Sequence, residues 1–310
     1  VADDALGFGY FRNFGKTLTY GEIDKLSRQF AAYLLGELKL KKGDRVAIMM
    51  PNCLQYPIAI FGVLRAGLTV VNVNPMYTPR ELEHQLNDSG ARAILILENF
   101  AHTLAEVQHE VDVGTVIVTG VGDLLGFPKS LLVNFVLRHV RKQVPEWSLP
   151  GAVRFDEALS QGRYENLQPA TLGPDDIAFL QYTGGTTGVS KGAILTHRNL
   201  VANVLQAEAW VRSAIEDDAS VVAVTALPLY HIFALTANSF TMLKLGAHNV
   251  MIPNPRDFPG FVRVLAQYPF TFFAGVNTLF NALLHARAFD TLDFSRLRVS
   301  LGGGMAVQRA

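Results

Sequence analysis

Nine consecutive residues are drawn from only five residue types: Thr183, Gly184, Gly185, Thr186, Thr187, Gly188, Val189, Ser190 and Lys191. Glycine lacks a Cβ and admits positive φ, so successive backbone N–H groups can turn to one side and form a concave anion site. The interleaved hydroxyls add donors, and Lys191 adds a flexible ammonium. Together they suit the grip of an oligophosphate. A plain hairpin turn is a poorer account, because a two-residue turn needs a single glycine. The spacing matches neither common phosphate motif. G-x-x-x-x-G-K-[ST] requires glycine before the lysine and a hydroxyl after it, whereas Lys191 lies between Ser190 and Gly192. G-x-G-x-x-G fails as well, and no helix is expected directly behind the loop. Tyr182 precedes the stretch, and Gly192 with Ala193 resumes an extended apolar pattern.

Three further places could carry chemistry. Leu227-Pro-Leu-Tyr-His231 follows a run that reads as a buried strand. A lone histidine in that setting is usually a hydrogen-bonded core residue. Residues 272–280 put Gly275, Val276 and Asn277 at a strand end, where ligand crevices of α/β sheets form. On residue type alone they suit a core equally well. Gly302, Gly303 and Gly304 follow another strand and require either a sharp bend or the close approach of a flat ring. The single Cys53 has no basic neighbour in sequence, which favours an inert thiol. No His/Cys cluster has zinc spacing, and no protein metal site is expected.

The elements that must position these residues alternate. Strands are expected at 45–50, 69–73, 93–97, 113–119 and 177–183. Helices are expected at 17–38, 54–66, 78–89 and 101–107. Thr19-x-x-Glu22 reads as a capping box at the start of the first helix, and Thr78 suits an N-cap with Pro79 at the first helical position and Glu81 at the third. After the loop, a helix at 196–211 leads to strands at 221–226, 249–252, 269–274 and 297–301, with helices at 258–267 and 278–286 between them. Strand and helix alternating at crossover length predict a parallel sheet covered on both faces. The alternation lapses between residues 120 and 173, where residues 129–142 read as an amphipathic helix ending in Arg138, His139, Arg141 and Lys142. Such a helix can lie on anionic lipid. Cations at a helix C-terminus also complement the helix dipole, and this second reading is favoured.

Composition narrows the class. Apolar residues make up 49% of 310 residues and charged residues 17%, enough for a sizeable core and too apolar for disorder. Lys+Arg 27 against Asp+Glu 27 leaves no nucleic-acid footprint. One cysteine excludes an internal disulfide, and no leader of basic, apolar and small residues opens the chain, so a cytoplasmic setting is expected. Residues 219–243 carry no Lys, Arg, Asp or Glu, but Pro228, His231 and Asn238 favour strand, turn and buried helix over a membrane span.

The stretch from Tyr182 to Ala193 resembles the phosphate-loop signature of the adenylate-forming superfamily: acyl-CoA synthetases, luciferases and adenylation domains. Ala47-Ile-Met-Met-Pro-Asn52, Val71-Asn-Val-Asn-Pro75, Tyr77-Thr-Pro-Arg-Glu-Leu-Glu-His84, Ala226-Leu-Pro-Leu-Tyr-His-Ile-Phe233, Gly275-Val-Asn-Thr-Leu-Phe280 and Gly302-Gly-Gly-Met305 look most like bacterial long-chain fatty acid–CoA ligases. The resemblance implies an α/β fold of two parallel-sheet αβ subdomains packed together, about 45–200 with the loop and 1–44 with 201–310. It implies ATP-dependent formation of an acyl-adenylate with release of pyrophosphate, then thioesterification to coenzyme A. Magnesium would arrive on the ATP phosphates. Residues 182–193 would hold the phosphates, with Lys191 catalytic, and Gly302, Gly303 and Gly304 would meet adenine. His231 would orient the acyl carboxylate, with Tyr230, Phe233, Gly275, Val276 and Asn277 along the acyl pocket. The expected partners are a fatty acid, ATP and coenzyme A, with weak peripheral membrane contact at the inner face, and oligomeric state stays open. No Tyr-Gly-x-Thr-Glu segment and no C-terminal lid domain is found in the sequence, so the chain is expected to be the larger part of an N-terminal domain that binds without turnover. The alternatives are a non-catalytic nucleotide- or acyl-binding module, a kinase-like NTPase, and an adenylate-forming ligase for another carboxylic acid.

Overall fold

A computed structural model of the chain describes residues 10–13, 15–163, 167, 170–183, 190–215 and 220–306. Thirteen strands are seen among them: β1 (Tyr10–Asn13), β2 (Lys16–Thr19), β3 (Arg45–Met49), β4 (Thr69–Val73), β5 (Ala91–Leu97), β6 (Thr115–Thr119), β7 (Val153–Arg154), β8 (Ile177–Thr183), β9 (Lys191–Thr196), β10 (Val222–Thr225), β11 (His248–Met251), β12 (Phe272–Gly275) and β13 (Val299–Gly302). The helices are α1 (Tyr20–Gly36), α2 (Gln55–Arg65), α3 (Pro79–Ser89), α4 (Ala101–Val107), α5 (Lys129–Phe135), α6 (Phe155–Gly162), α7 (His197–Arg212), α8 (Ile232–Ala234), α9 (Thr241–Lys244), α10 (Phe258–Leu265) and α11 (Asn277–Leu284). The chain divides into two compact units, Glu22–Asn199 and Val1–Gly21 with Leu200–Ala310. Residues 22–44, grouped by sequence with 201–310, therefore lie in the first of these units.

The unit Glu22–Asn199 is built on a seven-stranded sheet of order β7-β6-β5-β3-β4-β8-β9. Its central strands are buried on both faces, which is why β3 reads as an apolar run after Arg45, and β4 as one interrupted by Asn72, rather than as alternating patterns. All neighbours pair in parallel except the last two, because β9 returns antiparallel to β8. That corrects the expectation of a wholly parallel sheet: the glycine-rich stretch between β8 and β9 joins the two strands of a hairpin instead of leading to a crossover. Two polar residues inside the sheet hold β8 in place. Asn72 of β4 donates to Gln181 of β8 at 3.1 Å and accepts from the Tyr56 hydroxyl at 2.8 Å. The Gln85 amide of α3 donates to the Asn72 carbonyl at 2.8 Å. These bonds satisfy side chains that would otherwise be costly to bury. The α3 start at Thr78 and Pro79 is as the sequence predicts, and the structure adds a reciprocal capping box between Thr78 and Glu81.

The second unit carries a six-stranded sheet of order β13-β12-β10-β11-β1-β2, parallel except for the β1–β2 hairpin. The second strand of that hairpin takes residues 17–19 from the expected helix, so α1 begins at Tyr20, directly after Thr19. Alternate residues of β12 face opposite ways. Phe272 and Ala274 pack with Met242, Val211 and Val299. Phe273 instead meets Phe261, Phe270 and Phe280 with ring centroids at 6.0, 6.3 and 5.3 Å. α8 and α9 are joined into one buried helical run by a π-helical segment, Leu235–Phe240. This is the strand, turn and helix expected of residues 219–243, and among the described residues no helix is long and apolar enough to cross a membrane.

Candidate active site

The glycine–hydroxyl stretch hangs between paired strands. Tyr182 opposes Gly192 and Thr183 opposes Lys191, so the loop leaves and re-enters the sheet at one point. Residues 184–189 lie outside the described residues. At the mouth, the Ser190 hydroxyl donates to the Thr183 carbonyl at 2.8 Å, pinning the two ends together. Lys191 and Ala193 are exposed on the edge strand. A Cβ on Gly192 would sit 2.9 Å from the Tyr182 ring, so only glycine lets that ring lie flat across the hairpin.

Helix α3 holds both ends of the loop. The Tyr182 hydroxyl donates to Asp88 at 2.5 Å, and a ring nitrogen of His84 lies 3.1 Å from the Ser190 carbonyl. Burial, reinforced by the Asp88 carboxylate, pushes the Tyr182 ionisation well above that of an ordinary phenol, so the hydroxyl remains a donor. Sequence reasoning gave neither His84 nor Asp88 a role. The available signal was their spacing of four residues, which puts them on one face of α3, beside the buried Gln85.

The other candidate residues lie in the second unit, at the carboxyl ends of its parallel strands. β10 continues to β11 on one side and β12 continues to β13 on the other. The crevice between β10 and β12 is therefore a topological switch point, the place where open α/β sheets bind ligands. The loop after β10 carries Tyr230 and His231, and β12 is followed by Val276 and then Asn277, the first residue of α11. The His231 N–H donates to the Pro228 carbonyl at 3.0 Å, and the side chain is exposed at the start of α8. It is not the core histidine that residue type alone suggests.

The structure brings Phe233, Gly275, Val276, Asn277 and the three glycines together. The Gly303 N–H donates to the Gly275 carbonyl at 3.2 Å, and the Asn277 amide donates to the Ala306 carbonyl at 2.6 Å. The bend offered as one reason for the glycines is present, since Gly304 has φ +75°, a conformation that suits glycine. At Gly303 a Cβ would lie 2.5 Å from the Phe233 ring, so a side chain there would displace that ring.

A cavity of about 330 Å³ opens on the Phe272 face of this sheet, lined by Ala207, Trp210, Ala237, Thr241, Phe272 and Leu301 among others. Its only fully buried hydroxyl, Thr241 Oγ1, has no hydrogen-bond partner among the described residues. The sequence did not mark this cavity, since Ala237 and Thr241 fall in the helix after His231 rather than in the phenylalanine-rich run. Cys53 is buried, its Sγ 3.5 Å from Met50 Sδ, and burial pushes the thiol up to about 12, leaving it inert as expected.

Comparison with known proteins gives the family to which this α/β chain belongs. Residues 4–310 match the family model described as AMP-binding enzyme, and the chain belongs to that family. It is 57% identical over 300 residues to the long-chain-fatty-acid–CoA ligase of Escherichia coli O157:H7, covering 96% of this chain and 53% of the relative. The chain thus spans about half the length of the curated relatives it matches. Two solved structures share the fold. An anthranilate CoA ligase in complex with anthranoyl-AMP aligns with a TM-score of 0.79 at 20% identity, over 96% of this chain and 52% of its own. A long-chain-fatty-acid-CoA ligase from Archaeoglobus fulgidus aligns with a TM-score of 0.75 at 24% identity, over 99% of this chain and 57% of its own.

Proposed function

We propose that the protein to which this chain belongs is a long-chain fatty acid–CoA ligase. The observation that carries the reading is 57% identity to a ligase of that name, spread over 300 residues that include the loop and the crevice. In this reading a fatty carboxylate attacks the α-phosphorus of ATP, pyrophosphate leaves, and the thiol of coenzyme A then displaces AMP from the acyl-adenylate. Residues 182–193 hold the phosphates, with the Lys191 ammonium against the charge that develops there. Gly302, Gly303 and Gly304 provide the flat backbone for adenine. His231 donates to the acyl carboxylate, with Tyr230, Phe233, Gly275, Val276 and Asn277 around it. The cavity under Phe272 receives the alkyl chain. No group of three or more acidic, histidine or cysteine side chains that could hold a metal is found among the described residues. A magnesium ion arriving with ATP would supply charge neutralisation at the phosphates. The reading implies the cytoplasm, with contact at the membrane surface where fatty acids arrive. A lid domain elsewhere in the whole protein would complete the site.

The test is pyrophosphate release by the whole protein with ATP and a series of acids. Palmitate should drive release far better than acetate or benzoate, and Lys191→Ala should depress it while leaving the thermal midpoint unchanged. Equal rates with an aryl acid would move the protein to another substrate class, and orthophosphate in place of pyrophosphate would remove it from adenylate formation altogether.

A further inference from the structure

The helix beginning at Lys129 is inside out. α5 and the π-helical turn that extends it, Val136–Val140, contain no buried residue. What attaches them to their unit is polar. The Asn134 amide donates to Asp123 at 2.8 Å, and its carbonyl accepts the Gly122 N–H at 2.7 Å. One turn on, Arg138 is paired with the buried Glu98. Arg154 bridges the two carboxylates, 2.7 Å from Asp123 and 3.8 Å from Glu98. Glu98 follows β5 and Asp123 follows β6. The helix therefore spends its polar stripe on the carboxyl edge of the sheet, satisfying charges that burial would otherwise penalise.

The apolar stripe is left facing outward. Phe127 is 85% exposed, Leu131 64%, Leu132 63%, Phe135 58% and Val140 65%. Scattered apolar residues on a surface need no explanation, but five large ones within fourteen residues form a patch that does. Cations frame it: Lys129 at one end, and Arg141 and Lys142 at the other, all exposed. No Asp or Glu occurs between residues 124 and 145. A protein partner would need a matching apolar groove. A bilayer with anionic headgroups matches both features at once, taking the apolar side chains below the headgroups and the cations among them.

We propose that residues 127–142 form a docking surface for an anionic lipid bilayer, with Leu131, Leu132 and Phe135 inserted and Arg141 and Lys142 on the headgroups. The favoured sequence reading, in which the cations only complement the helix dipole, leaves the outward apolar face without a role. The surface shares with the functional reading only the membrane as a source of substrate. Vesicle binding is measured without turnover, so either proposal can fail alone.

The experiment is co-sedimentation of the whole protein with vesicles of pure phosphatidylcholine and of phosphatidylcholine mixed with phosphatidylglycerol. Binding should favour the mixed vesicles and fall as salt rises, because screening shortens the reach of the cations. Leu131→Ser/Leu132→Ser/Phe135→Ser should lower partition to the mixed vesicles at least about tenfold. Arg141→Glu/Lys142→Glu should remove the preference for phosphatidylglycerol. All five residues are exposed, so both variants should keep the parent's thermal midpoint and circular dichroism. Unchanged partition in the triple variant overturns the proposal. So does equal binding to both vesicle types. If the triple variant binds as before but changes sedimentation state, or loses its thermal midpoint, the face belongs to a second copy or to another part of the same protein.

Discussion

Ala237→Leu tests whether the cavity under Phe272 is the acyl site. Ala237 is half-buried in the π-helical segment and lines a space of about 330 Å³. Leucine adds three carbons to that space and should displace roughly three methylenes of a long chain. At about 0.8 kcal/mol per buried methylene, the loss is about 2.4 kcal/mol, or about 50-fold in kcat/KM. The loss should apply to palmitate and not to an acid too short to reach the added side chain. The assay is kcat/KM along a series of saturated fatty acids, with KM for ATP measured at each length. The expected result is a preference shifted toward shorter chains by about three carbons at constant ATP affinity. A uniform loss at every length, a matching change in ATP affinity, or no change would each refute the assignment. Gly275 and Ala274 are poorer positions for the same test. A Cβ at Gly275 would lie 2.7 Å from the Phe280 ring, and Ala274 is fully buried in the Phe272–Met242 cluster, so added bulk at either would strain the core first.

What could be read from the sequence was local. The Thr78–Pro79 start of α3, the bounds of β3, β4 and β8, and the loop's place between two strands depend on residues within a turn or two of each other. What failed depends on partners far along the chain. Nothing near β9 says that it pairs antiparallel with β8, because a long glycine-rich loop closes a hairpin as well as it opens a crossover. The periodicity of residues 129–142 shows which residues share a face but not which face turns inward. That was decided by Glu98, forty positions before Arg138. Phenylalanines stand on both faces of β12: Phe272 lines the cavity, while Phe273 packs against Phe261, Phe270 and Phe280 on the opposite face. Composition counted rings; only the alternation of β12 could say which ones meet the empty space.

Three smaller perturbations test the supporting structure. Cys53 should resist iodoacetamide in the native protein at pH 8: with the thiol pushed up to about 12, only about one molecule in ten thousand carries a thiolate, and labelling should appear on denaturation. Thr78→Ala should cost about 1 kcal/mol by removing the α3 cap. The Thr78 N–H and hydroxyl hold the Glu81 carboxyl below its usual range, so this stabilisation is present above the unfolded value of 4.5 and is lost as pH falls through the folded one. The acid limb of a stability–pH curve should therefore flatten in the variant, and parallel curves would refute the cap. His84→Ala should act on the phosphate loop through Ser190. It removes one hydrogen bond worth about 0.5–1.5 kcal/mol, so if the loop's nucleotide-ready geometry depends on that bond, KM for ATP in the whole protein should rise about 2- to 13-fold. KM for the fatty acid should hold. His84→Gln, which keeps a donor on α3, should recover most of the loss. A fall in kcat with KM for ATP unchanged would mean that the bond serves α3 packing and not the loop, because a positioning contact that ends at the loop's base can reach the reaction only through the phosphates the loop holds.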